Sequence, residues 1–187
     1  MKRAAFLLPL LSLLLMSAGV QSWLEFRSVE GRFKVLAPGT LEEKVTTAKT
    51  ALGELEYHAF LHQEEDTDVS DNLLYFVNYC DYPEGSIHSD STDLIDEFFD
   101  ATIDAAKTSV DGELRYATRV NMKGYPGIQW RVDYNDGTAV IKTKAYLVGN
   151  RYYSVRTVCL RDKSLNVSTD KFMDSFKVMG LTPKASN

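Results

Sequence analysis

Between Ile128 and Leu160 the chain alternates apolar and polar side chains almost without interruption, and no other feature narrows its possible folds so far. In IQWRVDY, Ile128, Trp130, Val132 and Tyr134 fall on one side and Gln129, Arg131 and Asp133 on the other, the period of two that belongs to a strand with one buried face. A helix would scatter the same side chains around its circumference. AVIKTKAYLV (139–148) and RYYSVRTVCL (151–160) follow, set off by NDGT and by Gly149-Asn150. Asp136-Gly137 is a two-residue hairpin signal, because both central positions want positive φ, so the pattern predicts three consecutive antiparallel strands. ELRYATRVNM (113–122) predicts a fourth. It leads into GYPG at 124–127, where Pro126 suits the second position of a turn and Gly127 its positive φ.

In the N-terminal half GRFKVLAP, EEKVTTAKTA and ELEYHAFLHQ read as strands, the last two joined near Leu52 and Gly53. LLYFVNYC (73–80) is polar on neither face, which predicts a strand in the middle of a sheet. One segment changes period. In DSTDLIDEFFDATIDAAKTSV, Leu94, Ile95, Phe98, Phe99, Ile103 and Ala106 recur at helical spacing, Asp90 is placed to cap, and Gly112 follows the end. A shorter helix is predicted around Thr169 to Phe176. The whole reads as an α+β protein, an antiparallel β-sheet flanked by helices.

The chain opens with two cations, an uncharged apolar run from Phe6 to Met16 and then small residues, the layout of a secretory signal peptide. Residues 1–22 are expected to be removed after Ser22, leaving a single domain over 23–187 in the periplasm or outside the cell. The apolar run is shorter than the roughly 20 residues a bilayer-spanning helix needs, so no stable membrane insertion is expected after cleavage. The formal charge of −5 argues against nucleic acid as a partner. That charge is unevenly placed: Trp23 to Gly112 carries 20 acids against 6 Lys and Arg, while Glu113 to Asn187 carries 6 against 13. Either the surface is dipolar, or the two halves interleave in one sheet and neutralise each other; antiparallel pairing of distant strands favours the second.

The opening FRSVEGRFKVLAPG, a strand ending in YCDYPEG, a helix, GYPG before a strand, AYLVGNRYYSVRTV and a closing DKFMDSFKV together resemble a group of exported bacterial proteins of unknown function. Their fold is similar to the PsbP-like extrinsic photosystem subunits, an antiparallel sheet flanked by helices. The resemblance spans nearly all of the chain after the leader and rests on turn and packing signatures. It implies an accessory or assembly role and brings no catalytic residues with it.

Candidate chemistries are few. His58 and His62 sit in HAFLHQEE; on a strand their attachment points lie roughly 13 Å apart, too far for one ion, and they are expected on a solvated face. DTDVSD (66–71) echoes a calcium loop but has Asp71 where glycine is required and Val77 where a bidentate glutamate is required. The long helix carries Asp93, Asp96, Glu97, Asp100 and Asp104 on one side, an exposed acidic face and the first place to look for a basic partner. No GxSxG, phosphate-cradling glycine loop, HExxH or CxxC occurs, and no cofactor is implied.

Two cysteines remain, Cys80 and Cys159. In an exported protein an even count favours pairing. Each closes a strand, so a disulfide is expected if those strands lie side by side and parallel, bringing their ends within the roughly 5.5 Å Cα separation a bridge demands. Two buried thiols, or a reactive Cys80 served by His88, are the alternatives. The leading functional expectation is a non-catalytic binding protein with an envelope protein as partner. A small-ligand carrier would use an apolar cleft between helix and sheet lined by Phe98, Phe99, Tyr75 and Trp130, and a hydrolase would draw on the acids and histidines between His58 and Asp93.

Overall fold

A computed structural model describes residues 22–184. The expected leader, apart from Ser22, lies outside the described residues. In chain order the elements are β1 (Leu24–Ser28), β2 (Phe33–Ala37), β3 (Glu42–Thr50), β4 (Gly53–Gln63), β5 (Leu74–Asp81), α1 (Thr92–Thr108), β6 (Glu113–Met122), β7 (Tyr125–Tyr134), β8 (Ala139–Val148), β9 (Arg151–Leu160), α2 (Val167–Ser175) and β10 (Lys177–Val178).

Seven strands form one sheet in the order β3-β4-β5-β9-β8-β7-β6, and every neighbouring pair is antiparallel. The alternation in 128–160 does what its period requires: Ile128, Trp130 and Val132 are all buried on one face, where they meet Ile95, Phe99 and Ile103 of α1. LLYFVNYC is central as expected, with β5 between β4 and β9. Its odd-numbered side chains Tyr75, Val77 and Tyr79 join the second core cluster, with Phe33 and Val35 of β2 and Phe172 and Phe176 at α2. That opposite face is covered by α2 together with a separate small sheet, β1-β2-β10. The molecule is therefore mixed, mainly antiparallel sheet with two helices. Helices flank it less than expected: α1 covers part of one face, and a second sheet shares the other with α2.

Three local expectations shift. The turn before β7 is centred on Lys123 (φ 52°) and Gly124 (φ 89°), with Met122 opposite Tyr125. Pro126 and Gly127 lie inside β7, and Gly127 is there for space: a Cβ would stand 2.5 Å from Cδ1 of Tyr146 and from the Ala145 carbonyl oxygen. The β7–β8 loop holds four residues, since Tyr134 pairs with Ala139, and Asn135, Asp136 and Gly137 all take positive φ. Asp90 does not cap α1, which Ser91 precedes without a side-chain cap; it pairs with Lys184. At α2 the cap is clear, Asn166 accepting the Thr169 N–H at 2.6 Å.

The two charge halves do not interleave. β3, β4 and β5 come from the acidic half and β6 to β9 from the basic half, so they meet at one seam, β5 against β9. Arg151 and Asp81 pair across it. The acidic α1 then crosses to lie over β7, placing acids on one face of the basic half and leaving its other face to lysines.

Candidate functional site

On that other face a cleft of about 510 Å³ opens between the ends of β6 and β8, α2 and the segment 176–181. Its floor is apolar, with Met122, Tyr146, Met173, Phe176, Val178 and Leu181. Strand periodicity puts Met122 and Tyr146 there, because each points to the same face as α2. The Tyr146 ring lies parallel to that of Phe176, centroids 6.3 Å apart and planes at 6°, and it can lie flat over β7 only because Gly127 has no side chain. Burial, with Asp174 adding to it, pushes the Tyr146 hydroxyl up to about 12, so the floor stays neutral.

The rim carries Lys34, Lys123, Lys144 and Lys177 against one acid, Asp174. Lys144 meets Asp174 at 2.7 Å and Lys34 meets Glu25 at 2.9 Å. Lys123 donates to the Leu181 carbonyl oxygen at 3.3 Å, and Lys177 is exposed. An apolar floor ringed by cations suits an acidic partner with an apolar anchor. No local sequence signal pointed to this group: its lysines come from β2, the β6–β7 turn, β8 and β10. Only the basic excess of residues 113–187 hinted at it.

The residues singled out in the sequence do not assemble into a second centre. Asp93, Asp96, Glu97, Asp100 and Asp104 do share one exposed side of α1, but Asp96 is held by Arg119 and Asp104 by Lys107. Cys80 and Cys159 are both free and buried. The condition for a bridge fails because β5 and β9 run antiparallel: Cys80 stands opposite Tyr152 while Val158 stands opposite Leu74, so the cysteines sit at opposite ends of the pair, roughly 20 Å apart at strand spacing. Burial pushes the Cys80 thiol up to about 11, the reverse of what a nucleophile needs.

The histidines are also not where alternation put them. His58 is 8% exposed, because Phe60 shares its face and is drawn into the core with it. His58 bonds Glu43 and Glu56, His62 lies 3.5 Å from Glu64, and His88 pairs with Asp90; each has its own partner and they do not converge. In the DTDVSD loop, the carbonyl oxygens of Thr67, Asp68 and Ser70 are taken by the Lys163 ammonium at 3.3, 2.6 and 3.0 Å. Among the described residues no three His, Cys, Asp or Glu side chains are grouped to hold a metal ion. Phe98, Phe99, Tyr75 and Trp130 line no common cleft: Tyr75 lies in the core on the opposite side of the sheet from the other three.

With this geometry in place, a solved structure gives the comparison that decides the fold. The solution structure of cyanobacterial PsbP (CyanoP) from Synechocystis sp. PCC 6803 superposes with a TM-score of 0.52, covering 87% of this chain and 95% of that one at 17% identity. The fold is PsbP-like. No family model matches the sequence, and no curated protein matches it. At this identity the likeness shows the architecture alone. Among the described residues no helix is long and apolar enough to cross a membrane.

Proposed function

We propose that the chain is exported, loses residues 1–22, and acts without catalysis as an accessory or assembly protein of the bacterial envelope, docking an acidic segment of a partner protein in the lysine-rimmed cleft. The observation that carries this reading is the pairing of four rim lysines with an apolar floor. A PsbP-like fold is in keeping with an accessory role. The acidic side of α1 lies on the other face of the same strands and would remain free when the cleft is filled.

The test is affinity capture from an envelope extract with residues 23–187, run beside a Lys144→Gln/Lys177→Glu variant. One or more specific proteins retained by the native chain and lost with the variant is the expected result. Equal capture by both would move the contact away from the cleft, and the absence of any specific protein across repeated extracts would count against docking altogether.

A further inference from the structure

Among the described residues four buried side-chain nitrogen or oxygen atoms have no hydrogen-bond partner, and three of them, Trp130 Nε1, Thr143 Oγ1 and Arg156 Nε, belong to residues that are successive cross-strand neighbours in the large sheet. Trp130 is opposite Thr143, Thr143 is opposite Arg156, and Arg156 is opposite Phe76. At about 4.8 Å per strand the three span roughly 10 Å, on the face that carries α1. Trp130 and Thr143 are each 1% exposed. Indole and guanidinium N–H groups can only donate, and a hydroxyl can do so as well. A row of donors left unmet by the described residues asks for an acceptor from elsewhere.

Arg156 gives that acceptor its charge. The other half-buried arginines are each held by a carboxylate: Arg131 by Asp133 at 2.6 Å, Arg151 by Asp81. Among the described residues no carboxylate pairs with Arg156, and its guanidinium carbon lies 5.3 Å above the Phe76 ring. Burial pushes its pKa down. Beyond Arg156 the row continues through Phe76 to Leu61, and Leu74 and Val158 sit beside it, all four partly open to solvent.

We propose that this row binds a small carboxylate carrying an apolar chain. The carboxylate accepts from Arg156 and Thr143, with Trp130 closing the line, and the chain lies over Phe76 and Leu61. The site is on the opposite side of the sheet from the lysine cleft and does not depend on a protein partner.

The experiment is a titration of ¹⁵N-labelled residues 23–187 followed at the indole N–H of tryptophan. Trp23 packs on Tyr75 in the other core and serves as the internal reference. Acetate, butyrate, hexanoate and inorganic phosphate are the probes. The Trp130 signal is expected to move saturably while Trp23 stays, with affinity rising by about fourfold for each methylene buried. Arg156→Met is expected to weaken hexanoate at least tenfold, and Arg156→Lys to keep part of it, since a point charge replaces the planar fork. Should Arg156→Met unfold, the chain-length series on the native protein decides alone. No saturable shift at millimolar carboxylate overturns the proposal, as water then fills the row. So does phosphate binding as tightly as hexanoate, which would make it a bare anion site.

Discussion

His58 lies flat on Tyr79, ring centroids 4.4 Å apart and planes 7° from parallel, with its two ring nitrogens on Glu43 and Glu56. Burial opposes the charged ring, but the hydrogen bonds that the ring donates to the two carboxylates outweigh it and the net pKa is raised. A raised pKa stabilises the fold fully below the unfolded value of about 6.5 and ceases to do so as pH climbs through the folded one. The Tm deficit of His58→Gln relative to the native chain is therefore expected to be larger at pH 5 than at pH 9. Both acids are largely exposed, so the pH-dependent part should stay below about 1 kcal/mol. A deficit that does not change with pH would remove the charge from the account.

The thiols offer a direct mass measurement. Burial raises the pKa of Cys80 and of Cys159, and neither sulfur is bridged. Iodoacetamide without reductant is expected to leave the folded protein unmodified and to add two carbamidomethyl groups once guanidinium unfolds it. An unfolded chain that takes up none would restore a bridge.

Gly127 can be tested by the smallest possible addition. An alanine Cβ there meets the Tyr146 ring and the Ala145 carbonyl oxygen at 2.5 Å, and overpacking of this kind costs about 1–3 kcal/mol. Gly127→Ala should lower Tm by roughly 2–10 °C in a chain of this length, read by thermal denaturation. An unchanged Tm would mean that β7 and β8 separate freely at this point.

Among the described residues Asp133 is the one buried carboxylate tied to several arginines. Its side chain is 1% exposed, with Arg131 at 2.6 Å, Arg115 at 2.9 Å and Arg161 at 3.9 Å. Burial would raise its pKa, yet the arginines outweigh this and lower it. A lowered pKa contributes stability above the unfolded value of about 3.9, and that contribution is lost as pH falls through the folded one. Asp133→Asn is expected to cost about 2 kcal/mol at pH 7, below the full penalty for breaking a buried pair because two of the arginines are solvated. The cost should shrink on acidification, measured by urea unfolding at pH 7 and pH 3.

The amino-acid pattern by itself determined the strands from Glu113 to Leu160, the central place of β5 and the helix that crosses β7, because side-chain period and turn residues act over a few positions and need no partner to be read. It misplaced His58 for the same reason: alternation says which residues share a face, and only the second sheet decides which face is buried. Strand direction lay beyond it too, and that direction separates Cys80 from Cys159. The lysine cleft and the Trp130–Thr143–Arg156 row exist only where distant segments are brought side by side, since cross-strand neighbours are set by pairing register and carry no signature along the chain.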